Sequence, residues 1–137
     1  MATVNFPGRF ESLAGIRKFV FQAASEAGFD EKEIYAVELA VDEACSNIIE
    51  HAYGGEDKGE IECTCNDTND GLEIIIRDDG RPFDPKLIPS PNFSVELDEL
   101  KPRGAGLFLI RNMMDDVDFV FSENTGNVLR MFKRKQK

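Results

Sequence analysis

Ile34, Val37, Val41, Ala44, Ile48 and Ala52 recur at spacings of three and four, the period of one apolar stripe along an α-helix. The same period runs through Leu13, Ile16, Val20, Ala23 and Ala27, with Phe19 beside it. The pattern predicts two consecutive amphipathic helices, the first opening at Ser12 and the longer second one ending at Tyr53-Gly54-Gly55. Gly28 stops the first as a C′ residue. Asp30 opens the second as N-cap, with Glu33 three residues on as the partner of a capping box and Phe29 and Ile34 as a hydrophobic staple. A turn this short makes the two helices antiparallel neighbours.

After Lys58 the period changes to two. Ile61, Cys63 and Cys65 alternate with Glu60, Glu62 and Thr64, turn formers fill Asp67 to Gly71, and Leu72, Ile74 and Ile76 resume the alternation up to Arg77. This predicts a hairpin with one wet face. Val117, Phe119 and Phe121 predict a further strand, Glu123 to Asn127 a turn, and Val128 to Lys133 a last strand. Thr3 to Phe10 has strand composition, but Pro7-Gly8 interrupts it and confines it to an edge. Gly104-Ala105-Gly106 opens a helix through Leu107, Ile110 and Met114. Between Pro82 and Arg103 there is no period, and five of the six prolines fall there. A connection longer than about 12–15 residues within one domain is usually a functional loop, so this stretch reads as a lid, with a passive surface loop as the plain alternative.

Composition narrows the picture. With 137 residues and 31% charged side chains, the chain has the size and balance of one globular domain, here residues 1–137. No run reaches the roughly 18 apolar residues of a membrane span, and the first nine residues lack a signal-peptide pattern, so a cytoplasmic location is expected. The net charge is −10, and residues 1–129 carry −15 before the basic residues Arg130, Lys133, Arg134, Lys135 and Lys137. Such a surface repels phosphate backbones, which argues against direct nucleic-acid binding and reads the basic end as a solvated strand end. Three cysteines, Cys45, Cys63 and Cys65, with His51 the single histidine, favour core packing over a disulfide framework or a zinc site.

The candidate chemistry lies in three stretches. Glu43 and Asn47 stand at i and i+4 on the long helix, off its apolar stripe, with Cβ atoms roughly 5–6 Å apart. Such a pair is ordinarily a solvated face. It also combines a carboxylate able to take a proton with an amide oxygen able to hold Mg²⁺. Asp78-Asp79-Gly80 follows directly on a strand, where a scaffold can present a side chain to a ligand. Gly104 and Gly106 before a helix let backbone N–H groups approach phosphate oxygens, a pattern that is weak alone.

Taken in order, these stretches resemble the motifs of the Bergerat-fold ATPases, and most closely those of the anti-sigma-factor serine kinases of bacterial partner-switching systems. The likeness covers nearly the whole chain. Glu43 to Asn47 looks like the N box, Asp78-Asp79-Gly80 like the adenine-binding G1 box, and Gly104 with Gly106 like the G2 box. The resemblance implies an α+β fold, a two-layer sandwich with helices on one face of a mixed, largely antiparallel sheet, and an ATP lid at 82–103. It implies Glu43 as general base, Asn47 as Mg²⁺ ligand, Asp78 as acceptor of the adenine amine, Gly80 as the close-approach glycine at the base, and Gly104 and Gly106 as phosphate cradle. Arg103 would reach the terminal phosphate or stand as an exposed loop arginine. His51 reads as structural. One departure is Pro82, at a position where the G1 pattern often has a second glycine.

The activity implied is ATP- and Mg²⁺-dependent phosphorylation of an anti-anti-sigma protein on serine, with a sigma factor as the alternative partner and a homodimer as the assembly. A rival reading is a non-catalytic regulatory module on the same fold, and a third is a small ATPase without a protein acceptor. No separate helical segment carries an exposed phosphoacceptor histidine, which disfavours a complete histidine kinase.

Overall fold

A computed structural model describes residues 1–81, 106–122 and 126–135. Strand β1 spans Ala2–Pro7 and a 3-10 turn at Phe10–Ser12 leads into helix α1, Leu13–Glu26. Helix α2 spans Glu31–Asn47, strand β2 Glu60–Asp67, strand β3 Gly71–Asp78, helix α3 Gly106–Met113, strand β4 Asp116–Ser122 and strand β5 Gly126–Arg134. The lid expected over 82–103, with Pro82, lies outside the described residues.

The capping box forms as expected: Glu33 N donates to Asp30 Oδ1 at 2.8 Å and Asp30 N to Glu33 Oε1 at 3.1 Å. Both staple residues, Phe29 and Ile34, are buried. Gly28 carries the positive φ of a helix stop, 92°, and Phe29 N returns to Ala24 O. In α1 the buried line is Ile16, Val20 and Ala24. Ala23 and Ala27 of the expected stripe are only partly buried, because the antiparallel neighbour meets the face one residue round. In α2 every residue of the expected stripe is buried, together with Ala40, Cys45 and Ile49. The helix does not run regularly to Tyr53. From Ile48 to Ala52 it widens into a π turn, closed by Tyr53 N donating to Ile48 O at 2.9 Å.

The five strands form one sheet in the order β1-β2-β3-β5-β4, and every pairing is antiparallel, so the sheet is not mixed among the described residues. β1 is an edge strand, as its proline requires. The register sets Ile61, Cys63 and Cys65 beside Asp78, Ile76 and Ile74, and these beside Asn127, Leu129 and Met131. That face carries the core and the helices; the architecture is α+β. The last strand begins two residues earlier than expected, because Asn127 pairs with Asp78 instead of closing a turn. No described helix is long and apolar enough to cross a membrane.

Candidate functional site

The end of α2, the end of β3 and the start of β5 meet at one edge of the core. Between them is a narrow cleft with a cavity volume of about 20 Å³, lined by Ala44, Asn47, Ile76, Asp78, Ile110 and Asn127 among others. Glu43, Ser46 and Asn47 are buried, at 6%, 6% and 3% exposure. The polar side of α2 therefore faces protein here, against the ordinary expectation for a Glu/Asn pair on a helix. Asn47 and Asp78, 31 positions apart in the chain, share the cleft; Glu43 lies one helical turn before Asn47 and is not part of its wall. Gly106 is the first residue of α3, whose Ile110 closes the cleft from above. Arg103 and Gly104 lie outside the described residues.

Asp78 is 3% exposed. Its Oδ1 accepts from Gly80 N and from Asn127 Nδ2, both at 2.9 Å. Burial pushes its carboxyl above the ordinary aspartate value, the two hydrogen bonds oppose this, and the charge of Asp79 adds to it. The Asp78–Arg81 turn is then fastened to the end of α2: Arg81 N donates to Ala52 O at 2.9 Å and Arg81 Nε to His51 O at 3.1 Å. Gly80 is required at this junction, since a Cβ there would meet the Ala52 carbonyl carbon and oxygen at 2.7 Å. Its constraint is the packing of turn on helix, a contact within the protein in addition to the base contact expected from the motif. Tyr53 braces the same corner. Its hydroxyl donates to Glu60 O and accepts from Asp79 N at 3.1 Å; burial raises its pKa, the hydrogen bond from Asp79 N opposes this, and the charges of Asp78, Asp79 and Glu60 add to the rise.

Asn47 Oδ1 is buried and accepts no hydrogen bond from a described residue. A neutral hard oxygen of this kind fits a divalent cation that completes its shell with phosphate oxygens and water. No group of three or more His, Cys, Asp or Glu among the described residues could hold a metal without such help. Cys45, Cys63 and Cys65 are free and buried, as the core-packing reading expects.

Two residues escape sequence reasoning. Asn127 reaches the site only through the pairing of β5 with β3, which no local pattern announces. Tyr53 reads as the end of a helix, and its hydroxyl contacts depend on how β2 and the Asp79 turn fold back.

The histidine kinase-like ATPase domain model matches residues 6–133. The chain is 35% identical over 124 residues to the serine-protein kinase RsbW of Bacillus cereus strain AH187, covering 88% of this chain and 77% of that protein. To the RsbW serine-protein kinase of Bacillus velezensis it is 33% identical over 136 residues, covering 95% and 82%. Among solved structures, the RsbU and RsbW domains of Rv1364c from Mycobacterium tuberculosis match with a TM-score of 0.64 at 11% identity, over all of this chain and 34% of that one. The catalytic domain of the histidine kinase ThkA matches with a TM-score of 0.56 at 18% identity, over 98% and 97%. At such identities the structural likeness speaks for the fold alone. The chain belongs to the histidine kinase-like ATPase domain family and is an ATP-binding serine/threonine protein kinase.

Proposed function

We propose that this kinase works in a partner-switching system: it uses ATP with Mg²⁺ to phosphorylate an anti-anti-sigma protein on serine, which releases that protein and frees the kinase to sequester a sigma factor. The observation that carries the reading is the pairing, in one cleft, of a buried carboxylate, Asp78, with a buried amide oxygen, Asn47 Oδ1, that no described residue satisfies. Asp78 accepts from the exocyclic amine of adenine. Asn47 holds Mg²⁺, which when bound neutralises and aligns phosphate oxygens. Glu43 takes the proton of the substrate serine as its oxygen bonds to the terminal phosphorus and the bond to the bridging oxygen breaks. Backbone N–H groups at Gly104 and Gly106 cradle the phosphates, and Arg103 reaches the terminal one. The acidic surface, at net charge −10, suits protein partners and disfavours nucleic acid. A homodimer, a cytoplasmic location and a single domain belong to the same reading.

Calorimetry with ATP·Mg²⁺ and GTP·Mg²⁺ tests the site. The wild type should prefer ATP by at least about tenfold, as expected for a hydrogen-bonding site facing the wrong group, and Asp78→Asn should lose that binding while remaining folded. Glu43→Ala should keep ATP and abolish transfer to serine. A folded wild type that binds neither nucleotide refutes the reading.

A further inference from the structure

Tyr53 takes no part in the scheme above, yet it holds the turn that carries Asp78. Three backbone N–H groups follow Asp78 in that turn, and each has its own acceptor: Asp79 N on the Tyr53 hydroxyl at 3.1 Å, Gly80 N on Asp78 Oδ1 at 2.9 Å and Arg81 N on Ala52 O at 2.9 Å. Two of the three acceptors belong to adjoining residues, Ala52 and Tyr53, at the end of α2. The Tyr53 hydroxyl gives its proton to Glu60 O, a carbonyl with none of its own, and so presents a lone pair to Asp79 N. It spans the two strands just beyond the Ile61–Asp78 pair, where the β2–β3 ladder ends.

The ring is held where the hydroxyl needs it. A Cβ on Gly59 would come within 2.5 Å of the ring Cζ, and one on Gly8 would stand 3.3 Å from the ring and 2.6 Å from Gly59 O. Gly8 N donates to Gly59 O at 2.7 Å, which ties the two glycines together and leaves a slot that only a flat side chain fits. The backbone of Tyr53 is fixed as well, its N–H donating to Ile48 O at 2.9 Å across the π turn. A rigid ring on a fixed backbone sets the hydroxyl, and the hydroxyl sets the residue next to Asp78. Tyr53 itself is absent from the walls of the cleft.

We propose that Tyr53 is a positioning residue for the base site: its hydroxyl, set by the Gly8–Gly59 slot, holds Asp79 N and thereby keeps Asp78 where the adenine amine meets it. The proposal rests on the ATP-site reading and adds to it a residue that acts on the base only through Asp79 and Asp78.

The test compares the wild type with Tyr53→Phe, which keeps the ring and removes only the hydroxyl. Calorimetry gives dissociation constants for ATP and for purine riboside triphosphate, which lacks the exocyclic amine and so offers Asp78 no donor. The wild type should bind ATP about tenfold more tightly than the analogue, as expected for one hydrogen bond to a charged group. In Tyr53→Phe, ATP should weaken about fivefold and the analogue hardly at all, so that the ratio closes to about twofold. A hydroxyl with a merely structural role leaves that ratio unmoved, because its loss affects both nucleotides alike. Gly59→Ala, which keeps the hydroxyl but pushes the ring from its slot, should close the ratio in the same way; should it not fold, Tyr53→Phe decides by itself. An unchanged ratio in folded Tyr53→Phe overturns the proposal and leaves the ATP-site reading standing. A folded wild type that binds the two nucleotides equally, or binds neither, overturns the reading of Asp78 as the base acceptor, and the positioning role with it.

Discussion

Asp78 carries opposing demands at the scale of one side chain. Burial raises its carboxyl pKa above the ordinary value of 3.8, and the hydrogen bonds from Asn127 and Gly80 only partly offset this. The folded state therefore holds the proton to a higher pH than the unfolded chain does. Its contribution to stability is complete below the unfolded value and is lost as pH rises through the raised folded one. Yet the ionised form is the stronger acceptor for an amine and keeps both oxygens free of a proton. Asp78→Asn keeps an oxygen for the two donors at Oδ1 and removes the charge. In urea unfolding the variant should be the more stable protein at neutral pH, with the gap closing as the wild type is taken down to about pH 4, near the ordinary aspartate value. A gap that does not vary with pH would mean that ionisation of Asp78 has no folding cost. Asn47 and Asp78 were legible as candidates because each sits at a recognisable place on an element, a helix turn after an acid and the end of a strand. Asn127 was not, because its role depends on a partner 49 positions away.

At the scale of elements, the site depends on how the Asp78–Arg81 turn docks on the π turn that ends α2. The contact is backbone on backbone: Arg81 N on Ala52 O at 2.9 Å, with Gly80 leaving no room for a Cβ. Neither side can yield by rotating a side chain, so Gly80→Ala must push the turn off the helix. The expected cost is about 1–3 kcal/mol, the range for overpacking a close contact, together with a loss of ATP affinity as Asp78 moves with the turn. Chemical denaturation and calorimetry on the same preparation would measure both, and unchanged affinity would show that the turn does not position the base site. The helices and strands were readable from their periods, and so were the capping box and the glycine stop, since these rest on neighbours in sequence. The π turn was not, because the apolar stripe continues through Ile48 and Ala52 whichever way the backbone closes. The burial of Glu43, Ser46 and Asn47 was hidden for a related reason: a polar helix face looks alike whether water or a cleft lies opposite.

Across the whole molecule, the face of the sheet away from the helices is laced with exposed ion pairs. There Arg130 meets Glu73 at 2.5 Å, Asp118 at 3.3 Å and Asp116 at 3.6 Å, and at the edge of the other face Lys135 meets Asp67 at 2.6 Å. Each pair contributes about 0–1 kcal/mol and is weakened by salt. Against them stands the self-repulsion of a chain with a net charge of −10. The repulsion acts over the whole surface and should win. The unfolding temperature should rise between about 0.01 and 0.1 M salt, as the screening length falls from about 30 to 10 Å; a fall would give the ion pairs the larger share. By itself the sequence determined the elements, their order, the apolar faces that must meet, and which side chains could do chemistry, because period, caps and turn formers act over a few neighbouring residues. Only the tertiary structure decided that β5 lies between β3 and β4, that Asn127 stands opposite Asp78, and that the polar side of α2 closes a cleft. Strand order and register are settled by packing between segments far apart in the chain, and no local pattern encodes them.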